Sequence, residues 1–126
     1  MSNRRSDVTA LVVQHHRDLQ SWLNNADEVA LQRFLNAHDA EFTLVTVEGT
    51  VATRAQLDDM FHGVGATAPD TTIEISWVTV LEASGDLQLL RWEERHSDVH
   101  GSSTRVVTGV LRADKWLSVH ETLIRT

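Results

Sequence analysis

At 100° per residue, the stretch from about Asp7 to Leu23 gathers Val8, Leu11, Val12, Leu19, Trp22 and Leu23 into an arc about 120° wide, an amphipathic helix. His15 falls near the middle of that apolar arc, with His16 and Asp18 at its two edges. Asn24-Asn25 ends the helix. A second, shorter helix is predicted over about Asp27 to Ala37, with Leu31, Phe34, Leu35 and His38 recurring three and four residues apart. Asp27 and Glu28 suit its positive N-terminal end. Phe42 to Val47 is rich in β-formers and reaches a turn at Glu48-Gly49, from which Thr50-Val51-Ala52 can return antiparallel. Thr53-Arg54-Ala55-Gln56 fits a capping box and opens a third helix carrying Leu57, Met60 and Phe61 on one face, with Gly63 to end it.

The only proline, Pro69, sits in the most loop-like stretch and divides a helix-rich first half from a strand-rich second half. Four strand-like runs follow: Thr71 to Glu82, Leu87 to Asp98, Ser103 to Arg112 and Lys115 to Ile124. Short turns at Ser84-Gly85-Asp86, His100-Gly101-Ser102 and Ala113-Asp114 make them an antiparallel meander. The predicted order is α-α-β-β-α-β-β-β-β, an α+β fold with helices segregated from an antiparallel sheet.

Composition narrows the chemistry. With 126 residues the chain is expected to be a single domain over 1–126, long enough to bury a core unaided. The absence of cysteine excludes a disulfide scaffold, a thiolate metal centre and a cysteine nucleophile. Eleven basic against eighteen acidic residues, a formal charge of −7, argue against nucleic acid as a partner. No run approaches the roughly 18 to 20 apolar residues of a membrane span, and Met1-Ser2-Asn3-Arg4-Arg5-Ser6 lacks the apolar stretch of a secretory signal. A cytoplasmic protein with no membrane contact is the expectation.

Four segments carry a resemblance to a known family: His15-His16-Arg17-Asp18-Leu19 with Trp22-Leu23; His38 to Thr46 running into Gly49-Thr50; the capped helix from Thr53; and Lys115-Trp116-Leu117-Ser118-Val119-His120-Glu121-Thr122. Together they resemble the nuclear transport factor 2-like (cystatin-like) superfamily, near its uncharacterised bacterial, polyketide-cyclase-like and calcium/calmodulin-dependent kinase association-domain members. The resemblance implies a cone in which a curved sheet wraps three helices. It also implies homodimerisation through the outer sheet face. The strands agree, because neither the second nor the last long strand has one plainly polar face, as a sheet open to water on one side should.

The likeness to the association domain places Arg91 toward the interior, and alternation carries Glu93 and Arg95 with it. His120 is carried over from the match around Trp116 and Val119. His15 points inward by helical phase alone. The expected pocket is therefore lined by His15, Arg91, Glu93, Arg95 and His120, with Trp22 and Trp77 as apolar walls. It suits a small anionic or polar ligand, and no cofactor or metal is implied. His96 and His100 are expected to be exposed at a hairpin end, and no two-histidine-plus-acid spacing is convincing as a metal site.

Three functions remain open at this level: a small-molecule binder, an isomerase, cyclase or hydrolase using His15 or His120 as base with Arg91 and Glu93 as further catalytic candidates, and an association module without catalysis. His15 equally fits a core role with a hydrogen-bonded ring. Arg91-x-Glu93 is similar to the Arg-x-acid arrangement of limonene-epoxide-hydrolase-like members, but equally fits a structural ion pair. Asp39 fits either a base or a turn residue. The chain has no tyrosine, so the oxyanion donor of ketosteroid-isomerase-like members cannot be made in the same way.

Overall fold

The computed structural model describes residues 4–124, with side chains from residue 8 onward. Met1 to Asn3 and the side chains of Arg4 and Arg5, the basic start noted above, lie outside the described residues. Helices α1 (Arg4–Asn25) and α2 (Glu28–Asn36) lead into strands β1 (His38–Val45) and β2 (Val51–Thr53), then α3 (Arg54–His62), then β3 (Thr72–Ser84), β4 (Leu87–Asp98), β5 (Gly101–Arg112) and β6 (Lys115–Leu123). The order of elements is the one the sequence predicts. Among the described residues no helix is long and apolar enough to cross a membrane.

The caps follow their sequence signals. Asp27 Oδ1 accepts the amide of Ala30 at 3.1 Å and starts α2. Thr53 and Gln56 form both bonds of the capping box at α3, at 3.3 and 2.9 Å. Arg33 grips the buried Asp18 carboxylate through Nε and Nη2, the latter at 2.9 Å, and so ties α2 to α1.

One six-stranded sheet runs in the order β2-β1-β6-β5-β4-β3. All pairings are antiparallel except β1 with β6, which is parallel. That pairing joins the two halves of the chain, and the amide of Trp116 donates to the carbonyl of Ala37 at 2.8 Å where they meet. The strand β1 starts at His38 rather than Phe42; its pairing with β6 is irregular between His38 and Thr43, and His38 and Phe42 are both buried.

The inner sheet face is set by where bulk is buried. On β4, Gln88, Leu90, Trp92 and Glu94 are buried, while Arg91 and Arg95 are exposed. The expectation that Arg91, Glu93 and Arg95 face inward is therefore corrected by one residue of phase. Leu90 and Trp92 are buried on one side, whereas the alternative would bury three charges side by side. His120 is corrected for a different reason. Val110 pairs with Ser118 and Leu111 with Trp116, so Leu117 is an extra residue, a β-bulge. Beyond it the inward phase passes from Trp116 to Val119 and Glu121, and His120 turns outward. A similar bulge in β3 leaves Trp77 at φ 58° and 77 % exposed, so this expected pocket wall is an outer-face residue.

Trp92 and Trp116 lie with ring centroids 5.3 Å apart at the centre of the core. Gly109 makes this approach possible: a Cβ there would come within 2.8 Å of the Trp116 ring and 2.9 Å of the Trp92 ring. A second apolar cluster, Trp22, Leu31, Phe34 and Leu35, packs α1 on α2. Phe61 of α3 packs against both clusters.

Candidate functional site

Between the helices and the inner sheet face lies a cavity of about 220 Å³. Aromatic and aliphatic side chains from α2, β1, α3, β4 and β6 supply its walls, among them Phe34, Phe42, Leu57, Phe61, Trp92 and Trp116. Its polar groups fall into two sets. His15 and His16 come from α1 and His38 from the start of β1. Glu94, His96, Arg105 and Glu121 come from three adjacent strands.

Glu94 is the centre of the second set. Its Oε2 accepts from His16 Nε2 at 2.7 Å and from Trp92 Nε1 at 2.9 Å, and its Oε1 accepts from His96 Nε2 at 2.8 Å. Burial alone would raise its pKa, but the His16 charge and these hydrogen bonds hold the carboxyl well below the usual carboxylate range. His16 is held at both nitrogens, because its Nδ1 also donates to the carbonyl of Val12 at 2.9 Å. Burial opposes its charge, yet the Glu94 carboxylate outweighs burial and raises the pKa. The result is a buried imidazolium–carboxylate pair.

The first set behaves differently. The His15 ring stacks on Phe34 at 4.5 Å between centroids and meets His38 edge-on at 4.8 Å. Its Nδ1 is buried without a hydrogen-bond partner. Burial, then the neighbouring His16 and His38, push its pKa well down. Burial likewise pushes His38 down to about 4, although its Nδ1 donates to Leu35 O at 3.3 Å. Both are neutral rings in an aromatic stack.

At the strand end, Glu121 is pushed up by burial and by the nearby Glu94 charge. Arg105 reaches it only at 3.4 Å, and the Arg105 Nε is buried with no partner. Leu23, His96 and Arg105 also line an adjoining, more open cleft of about 520 Å³ walled by Ser97, Ser102, Ser103 and His100. The residues shared by the mostly apolar cavity and the polar cleft thus include one imidazole and one guanidinium. No group of three or more His, Asp or Glu side chains among the described residues is arranged to hold a metal ion. Around Glu94 both imidazoles point their Nε2 donors at the carboxylate, leaving no shared position for a cation.

Of the residues expected at the pocket, the structure brings only His15 to the cavity wall. Trp22 is buried behind it, its Nε1 donating to Phe61 O at 2.6 Å. Arg91 and Glu93 line a shallow outer depression with Trp77, and Arg91 Nε donates to Thr108 at 3.3 Å. Arg95 donates to Ser102 at 3.2 Å outside, and His120 is exposed. Asp39 lies at the sheet end, kept ionised by the Glu41 amide and by Arg112, and does not line the cavity. Glu94, His96, His38, Arg105 and Glu121 are the site residues that sequence reasoning missed. A signal for two of them was present: Trp92-x-Glu94-x-His96 alternates in phase with Leu90.

No family model matches the chain, and no curated protein matches it. Solved structures do. An NTF-2 like protein of unknown function from Pseudomonas aeruginosa superposes with a TM-score of 0.85 at 28% identity, covering 90% of this chain and 95% of that one. The beta subunit of the benzoate 1,2-dioxygenase from Burkholderia mallei gives 0.75 at 18% identity, over 94% and 89% of the two chains. A candidate ketosteroid isomerase from Parabacteroides distasonis gives 0.71 at 14% identity, over 98% and 90%. The last two likenesses speak for the fold alone.

Proposed function

The chain belongs to the nuclear transport factor 2-like superfamily, and from that premise we propose that it binds a small molecule in the interior of its cone. The observation that carries this reading is the segregation of the cavity lining. Aromatic walls occupy one side, and Glu94, His96, Arg105 and Glu121 converge from β4, β5 and β6 on the other. A mostly apolar enclosure with a few convergent polar groups is the usual make-up of a ligand site. A dry cavity of about 150 Å³ already accepts benzene. A volume of about 220 Å³ therefore suits one substituted ring. Its polar or anionic substituent would meet Arg105, whose buried Nε lacks a partner.

The test uses the protein's own fluorophores. In a Trp77→Phe background, which removes the exposed indole, benzoate and benzamide are titrated against tryptophan fluorescence. Saturable quenching is expected, together with a raised melting temperature. Val119→Phe, which adds bulk to the cavity wall, should abolish both. Quenching unaffected by Val119→Phe would place binding elsewhere and defeat the reading. Self-association through the outer sheet face, where Trp77 and Leu81 are exposed, belongs to the same proposal and predicts a dimer mass in solution.

A further inference from the structure

We propose that His96 is a general base for proton abstraction from a ring-sized carbon acid bound in the chamber, with Glu94 as its positioning residue; this rests on the binding reading above. Glu94 is ionised and can only accept, so the His96 Nε2 at 2.8 Å must carry the proton. The tautomer that remains has its lone pair on Nδ1. No hydrogen-bond partner occupies that atom among the described residues. The ring is half-buried and lines both the apolar chamber and the polar cleft, so a bound molecule and departing solvent-borne protons can each reach it.

None of the other three cavity histidines combines a free ring nitrogen with an orienting carboxylate. Both nitrogens of His16 donate, to Val12 O and to Glu94. His38 has its Nδ1 on Leu35 O. His15 is stacked on Phe34 and has no carboxylate to orient it or to stabilise the cation that forms on proton uptake. His96 has such a carboxylate, and the pairing of an oriented imidazole with a buried acid is what general-base catalysis requires.

The probe is 5-nitrobenzisoxazole, a small apolar ring system with one acidic C–H. Nδ1 of His96 takes the C3 proton. The C–H electron pair becomes the third bond of a nitrile as the ring N–O bond breaks. The oxygen leaves with the N–O bonding pair as a nitrophenolate, whose absorbance reports turnover. His96 then returns its proton to water, so no co-reactant is needed. Turnover is expected to saturate with probe and to fall by about 100-fold or more in kcat/KM for His96→Gln, with the outer-face variant His120→Gln unchanged. Nitrogen-15 NMR should find the His96 proton on Nε2 in the native chain and a mixture of tautomers in Glu94→Gln. A native proton on Nδ1 overturns the proposal. So does saturable fluorescence quenching by the probe with turnover absent or equal in His96→Gln, an outcome that leaves the binding reading standing. The absence of both quenching and turnover overturns the binding reading and this proposal together.

Discussion

His15 and His16 are neighbours on one helix, open onto one cavity and are both buried, yet they end in opposite states. His15 enters an aromatic stack with Phe34 and His38, and burial keeps it neutral. His16 faces Glu94 and is charged. Burial is nearly the same for both, so the difference is the carboxylate. An imidazole in a dry place becomes another aromatic ring unless an acid is placed within hydrogen-bond distance of it. The cavity thus has an inert, neutral end and a charged end, made from the same residue type.

The sharpest way to break this contrast is to remove the acid. Glu94→Ala leaves a buried imidazolium unpaired, and a loss of about 3–5 kcal/mol in denaturant unfolding is expected. A loss near zero would mean that His16 is neutral and that the two ends are alike. The next largest effect is a pH dependence at the inert end. The unfolded chain protonates His38 as pH falls below 6.5, while the folded chain resists until about 4. Stability present above 6.5 is therefore lost as pH falls through that window, by about 3 kcal/mol for this group. His15 acts in the same direction. His16, with a raised pKa, acts oppositely: its contribution is complete below 6.5 and is lost as pH rises through its folded value. His38→Phe should flatten the slope between pH 6.5 and 4, read from unfolding midpoints.

A smaller effect sharpens the same point. His15→Phe keeps the stack and deletes the unpartnered Nδ1, so stability should rise by up to about 1 kcal/mol. A marked loss would show that His15 has a polar role. The smallest effects belong to the outer face. Arg91→Ala and His120→Ala should shift unfolding by no more than about 0.5 kcal/mol and leave probe quenching unchanged. If Arg91→Ala abolished ligand binding, the site would lie outside the cone.

The order of elements was readable because its signals are local: a capping box at Thr53, short turns, and a helical stripe that carries His15 inward. The parallel pairing of β1 with β6 brings together residues far apart in the chain, and no local pattern announces it. The site was less readable for two reasons. Both faces of β4 mix leucines with charges, so periodicity alone leaves the inward set open, and only the burial of Trp92 against Trp116 decides it. On β6 and β3 the alternation itself is interrupted at Leu117 and Trp77. Counting in twos from Trp116 then leads to His120 instead of Glu121.

That interruption gives β6 an unusual tolerance. Leu117 has no opposite number on β5. A chain shortened by this one residue would pair with β5 without a break and would still turn Trp116, Val119 and Glu121 toward the interior. Moving the spare residue past Glu121 would do the reverse, presenting Ser118 and His120 and withdrawing the acid with no change in composition. The last strand thus carries two alternative linings, and the position of a single unpaired residue chooses between them.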